Sequence, residues 1–247
     1  MPTTTDCGLT MLSWTTLRTI SLVLLCLPLI HVAYLGAEGA ARYLDPSPEV
    51  WRAAMDDIIE ADMGSTLPEA PILVVGGQRV GLWSNLSARL EPRTTLLRPL
   101  GDATLEDISH YYDRLIAYYQ ASTLVVFPSY SELHLRDNKT PAVFQSAARA
   151  LLEKDRLFSP ERRRILLTPL MTPLHPGDQQ RIVEITRLCH ELAREFPQLT
   201  VLDPNEWLVR EDGLPDPAFF RIDGINLNDE GYARLAIMLG EALPTTG

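Results

Sequence analysis

Ser129, Ser131, Glu132 and His134 stand together in "SYSELH", His175 and Asp178 share "HPGD", and Asp223 opens "DGINLNDEGY". These are the residue types that acyl transfer needs: a hydroxyl to attack, an imidazole to take its proton and a carboxylate to orient the imidazole. Ser129 or Ser131 with His134 or His175 would supply such a set only if folding joins segments far apart in the chain. The same side chains have none of the short ligand spacings of a zinc or calcium site, so no metal and no cofactor are expected. Gln78, Arg79, Arg98, Tyr130 and Asn226 add amide, guanidinium and aromatic groups, which suit recognition of a polar ligand.

These residues need elements to position them. Short apolar runs at 71–77 ("PILVVGG"), 94–100, 122–128 ("STLVVFP"), 163–170 and 199–204 read as strands, and helical patterns near 82–90, 104–119, 141–155, 177–195 and 228–243 alternate with them. Five apolar strands separated by helices predict a parallel sheet covered on both faces. Ligands of such sheets bind beyond the carboxyl ends of the strands. The segments expected there are Gly76–Gly81, Arg98–Asp102, Pro128–Arg136, Pro169–Asp178 and Asp203–Asn226, which carry every candidate residue named above. Asn228 is placed to cap the final helix.

Four blocks taken together resemble the SGNH/GDSL hydrolase superfamily: "ILVVGGQRVGLW" (72–83), "LLRPLGDATLEDISHYYDRLI" (96–116), "LVVFPSYSEL" (124–133) and "DGINLNDEGY" (223–232). The resemblance implies a three-layer α/β/α, flavodoxin-like domain with a five-stranded parallel sheet. It also implies a nucleophilic serine at Gln78, an oxyanion-hole glycine at Pro99, an oxyanion-hole asparagine at Ser131, and a histidine base at Asn226 oriented by Asp223. Only Asp223 keeps the family's residue. A glutamine amide is no acyl-transfer nucleophile, proline has no N–H to donate, and asparagine shuttles no proton. Trp83, "HYYDRL", Leu227 and Gly231 match the family's scaffold positions, and His110 within that block reads as a packing residue.

The net charge of −10 and the lack of a basic block exclude a general nucleic-acid binder. Cys7, Cys26 and Cys189 offer no disulfide within the main domain, and Cys189 reads as a buried helix residue. From Thr19 to Gly36 the chain is apolar and almost uncharged, enough for a bilayer span, with Arg18 before it and Glu38, Arg42 and Asp45 after. The expected organisation is a short cytoplasmic segment over 1–17, a transmembrane anchor or signal sequence over 18–37, a juxtamembrane helix and linker over 38–66, and an SGNH-like domain over 67–247. The main domain is expected outside the cytoplasm, in the periplasm of a Gram-negative cell. The expected activity is that of a binding or assembly subunit without inherited esterase chemistry, with envelope polysaccharide or an acylated glycan as ligand, or an envelope protein complex as partner. The alternative is an esterase or O-acyltransferase acting on acylated carbohydrate from a rearranged site.

Overall fold

A computed structural model describes residues 13–244. The chain forms two compact units, Met1–Asp45 and Pro46–Gly247. In the first, helix α1 (Trp14–Leu44) contains a 24-residue stretch, Trp14–Ala37, with mean hydropathy 2.2. At 1.5 Å per residue this is about 36 Å, more than the ~30 Å hydrocarbon core of a bilayer, so the helix is long and apolar enough to cross a membrane. The helix starts earlier and ends later than the expected 18–37. Residues 1–12 of the expected cytoplasmic segment lie outside the described residues.

The second unit starts before the expected domain boundary at 67. A 3₁₀ turn (Pro48–Trp51) leads into α2 (Arg52–Met63), and both belong to the compact domain instead of forming a linker. The reason is the apolar stripe: Trp51 and Met55 are buried, and Val50, Ala54, Ile58 and Ile59 pack on the same core cluster. Trp51 Nε1 also donates to Asp107 Oδ2 at 3.0 Å, fixing this helix to the one that follows the second strand.

The sheet is parallel, in the order β2-β1-β3-β4-β5, with β1 Ile72–Gly76, β2 Thr95–Pro99, β3 Thr123–Phe127, β4 Arg163–Leu167 and β5 Leu199–Leu202. All five strands fall within the expected runs. After β1 come α3 (Gln78–Gly81) and α4 (Leu86–Arg89), and after β2 come α5 (Leu105–His110) and α6 (Tyr112–Leu115). The helix expected over 104–119 is therefore broken into short pieces. Beyond β3 lie α7 (Pro141–Phe158), α8 (Gln179–Glu195), α9 (Asn205–Leu208) and α10 (Asp229–Ala242). Asn228 caps α10, its side-chain oxygen accepting from Glu230 N and Gly231 N at 3.0 Å each.

One core cluster joins α2, α5, α7 and α8 to one face of the sheet, and the other joins α4, α9 and α10 to the opposite face. Trp83 anchors the latter, buried between Phe127 (ring centroids 6.0 Å) and Tyr232 (5.7 Å). Cys189 is fully buried on α8, and burial pushes its thiol up to about 12, which leaves it inert. His110 is half-exposed and stands edge-on to Tyr111 at 4.8 Å.

Candidate functional site

The loops beyond the carboxyl ends of the strands are tied to one another. The loop after β4 is pinned to that after β5 by Asn205, which accepts from Met171 N at 2.7 Å and donates to Pro169 O at 3.0 Å. Leu174 N donates to Gly224 O, which joins the same loop to the 221–226 segment. Arg79 Nη2 donates to Ile225 O at 3.2 Å, and Tyr232 Oη donates to Arg79 O at 2.8 Å, so the start of α3 is held to both ends of the "DGINLNDEGY" block. The 130–139 loop is fastened below by buried Glu132, which accepts from Leu105 N at 2.7 Å and pairs with buried Lys139. Burial pushes the Glu132 carboxyl up to about 7 against the pull of Lys139.

At the centre is a stack of planar groups. Arg79 Cζ lies 5.9 Å from the Tyr130 ring centroid, Tyr130 is stacked on His134 at 4.9 Å, and His134 on His175 at 3.9 Å with 17° between the planes. Tyr130 Oη shares a hydrogen bond with His175 Nε2, and the Asp178 carboxylate accepts from His134 Nε2. Burial lowers the His175 imidazole below its ordinary value, and the neighbouring His134 lowers it further. Burial raises the Tyr130 phenol, with Arg79 opposing. Sequence segments that share no motif thus meet as two hydrogen-bonded pairs, His134–Asp178 and Tyr130–His175.

The serines stand apart from these pairs. Ser129 and Ser131 are buried, and their hydroxyls have no hydrogen-bond partner among the described residues. Ser129 Cβ is where a side chain on Gly77 would collide, at 2.5 Å, so the two backbones approach closely beside Gln78. Asp223 Oδ1 accepts from Ile225 N (2.8 Å) and Asn226 N (2.9 Å), and Oδ2 accepts from Asn226 Nδ2 at 2.8 Å. Partial burial pushes this carboxyl up, but the three donors pull it net below the ordinary carboxylate range.

Two expected positions fall elsewhere. Arg98 does not face the crevice: its guanidinium pairs with Asp62 of α2 and donates to Tyr119 Oη at 2.7 Å. The alternation of β2 sends its side chain to the face that α2 covers. Pro99 pairs in register with Gly76 and packs on Gly81, whereas the backbone closest to Gly77 is that of Gly101 and Asp102. Gly101, two residues beyond Pro99, takes a left-handed φ of +47° against the Trp51 ring. Sequence reasoning passed over Gly101 and Asn205; the Gly-Asp pair directly after a strand was the available signal for the first, and only the loop contacts reveal the second. Among the described residues no group of three or more His, Cys, Asp or Glu side chains could hold a metal ion.

No family model matches the chain and no curated protein matches it. Solved structures do. A GDSL-like lipase from Bacteroides thetaiotaomicron is 12% identical, with a TM-score of 0.65 over 76% of this chain and 96% of that one. A lipase/acylhydrolase from Enterococcus faecalis is 18% identical, with a TM-score of 0.57 over 72% and 100%. A variant of an acetyl-xylooligosaccharide esterase from Geobacillus is 13% identical, with a TM-score of 0.55 over 73% and 98%. The chain has the SGNH/GDSL hydrolase fold.

Proposed function

We propose that this chain puts the GDSL-hydrolase fold to use as a membrane-anchored, extracytoplasmic binding or assembly subunit that has given up ester hydrolysis. The observation that carries the reading is the pair Gln78 and Asn226. The resemblance puts the nucleophile and its base at these positions, and the Asn226 amide donates to Asp223 where an imidazole would be oriented. An amide in that place fixes the loop but takes no proton. In enzymes of this logic, loss of nucleophile or base costs on the order of 10⁶ in turnover. Pro99 lends the reading no weight, because Gly101 makes the approach to Gly77.

The crevice retains groups for recognition. Gln78, Arg79, Tyr130, His134, His175 and Asn226 offer amides, a guanidinium and stacked rings, a composition suited to a polar, ring-bearing ligand such as envelope polysaccharide. The apolar helix α1 supports attachment to a membrane, and Arg18, inside α1 but ahead of its uncharged 19–36 run, supports an outward-facing domain.

A second reading, a rearranged esterase or acyltransferase, is favoured by the His134–Asp178 and Tyr130–His175 pairs. Against it, neither serine hydroxyl bonds to an imidazole, and both are sealed from solvent. The full chain in neutral detergent, assayed on aryl acetates and acetylated glycans, is expected to turn over no faster than buffer. Turnover abolished by Ser131→Ala or His175→Ala would establish the enzyme instead. Retention of envelope polysaccharide by the immobilised chain, weakened by Tyr130→Ala, is the expected positive result.

A further inference from the structure

We infer that Arg79 anchors an anion subsite in the crevice, one that takes a carboxylate or phosphate group of the bound ligand. The inference rests on the crevice being a ligand site, as proposed above. Its starting point is a missing partner. The other buried charged side chains are neutralised at close range: Asp62 by Arg98, Asp107 by Arg136, Glu132 by Lys139, and Asp155 by Arg162 and Arg164. Arg79, only 2% exposed, has no carboxylate within ion-pair distance among the described residues. A buried cation without a counter-charge is costly, because desolvation is not offset by attraction.

The surroundings say what is missing. One edge of the guanidinium is used, with Nη2 donating to Ile225 O, while Nε is buried and has no acceptor. Nε is sealed, whereas Nη1 makes no hydrogen bond among the described residues and is not sealed, so Nη1 is the N–H group left for an oxygen of a carboxylate or phosphate. Asp102, Asp223, Tyr130 and Tyr232 bias the field toward the charged guanidinium from a distance, and with burial bringing its pKa to about 10 it is still a cation at neutral pH. Its location suits a ligand: the group lies between the loop after β1, the Tyr130 ring and the 221–227 loop, next to Gln78 and at the end of the Tyr130–His134–His175 stack. A polar ligand resting on the stacked rings would present its acidic group to Arg79.

The test compares charged and neutral probes on the full chain in neutral detergent at constant ionic strength. Trigalacturonic acid is expected to bind at least about tenfold more tightly than a neutral galactose trisaccharide, as one charge-assisted hydrogen-bonded contact predicts. Arg79→Gln should remove that advantage, weakening the acidic sugar about tenfold more than it weakens the neutral one. Inorganic phosphate should raise the melting temperature saturably, more than chloride does, and compete with the acidic sugar; that arm needs no variant and separates a phosphate source from a uronate one. Equal binding of acidic and neutral sugars, together with no phosphate-specific shift, overturns the anion subsite and leaves the crevice a neutral-glycan site. A saturable phosphate shift that is lost in Arg79→Gln, without binding of any sugar, keeps the subsite and removes the polysaccharide reading. If Arg79→Gln does not fold, Arg79→Lys serves: a point charge without the fork should bind the acidic sugar several-fold more weakly, and unchanged affinity would count against the inference.

Discussion

At the scale of single residues, the crevice contains groups whose chemistry is decided by what they touch. Ser131 takes the oxyanion-donor position in the resemblance, yet its hydroxyl is buried and unpartnered. Deleting an orphaned hydroxyl removes a desolvation cost, so Ser131→Ala is expected to be neutral or stabilising by up to ~1 kcal/mol in urea denaturation. A clear loss of stability would mean that the hydroxyl has a partner after all. His175 gives a second prediction. Its folded-state pKa lies below the ordinary 6.5, so the unfolded chain binds the proton more readily and the contribution of His175 to stability is lost as pH falls below 6.5. The facing groups are Tyr130, His134 and Asp178, and a charged His175 would also face whatever charge His134 carries. Because Glu132, raised to about 7, works in the opposite direction, the comparison must be between the wild type and His175→Asn. The variant should lose less stability than the wild type between pH 7 and 5; parallel curves would show that His175 is not desolvated.

At the scale of elements, the contact between the 48–63 segment and the loop after β2 matters most. A Cβ on Gly101 would lie 2.0 Å from Trp51 Cζ3, at a φ that L residues seldom adopt. Gly101→Ala is therefore expected to cost at least ~3 kcal/mol, combining the clash with left-handed strain. In a Trp51→Ala background the clash is gone, and the same change should cost only ~1–2 kcal/mol, the strain alone. Equal penalties in both backgrounds would refute the packing of Trp51 on this loop. The consequence reaches the site, because the backbone that borders Gly77 is held from behind by an indole belonging to a segment whose sequence reads as a linker. The spacing of Trp51, Met55, Ile58 and Ile59 was legible as a helical stripe. Its partner was not, since an amphipathic pattern shows that a face will be buried without showing against what.

At the scale of the molecule, the boundary between compact units at Asp45 and Pro46 makes a prediction about α1. The Pro46–Gly247 unit has its own sheet and both core clusters. Expressed alone, it should partition into the aqueous phase and melt within about 3 °C of the full chain in detergent, a difference worth ~1 kcal/mol for a domain of this size. The full chain should stay with the membrane fraction through alkaline extraction. Release of the full chain by alkali would rule out an integral anchor, and a lower mass of the mature chain would identify a cleaved signal sequence.

The strand runs, the apolar N-terminal stretch and the four blocks were readable from the sequence because each is local: hydrophobic period, β-branched composition and turn residues act within a few positions. The parallel sheet covered on both faces followed from the same pattern through the handedness of the crossovers, while the strand order β2-β1-β3-β4-β5 is a feature of the tertiary structure. What only the tertiary structure decided was pairing. Arg98 and Arg79 look alike in sequence, as arginines at or just beyond the carboxyl end of neighbouring strands. The pleat of β2 turns Arg98 to Asp62, whereas Arg79 is enclosed by three loops with no carboxylate close enough to neutralise it. His134 and His175 likewise become a stack with their own partners only when the loops after β3 and β4 meet. Charge and reactivity depend on distances of a few ångströms between segments far apart in the chain, and those distances are set by packing.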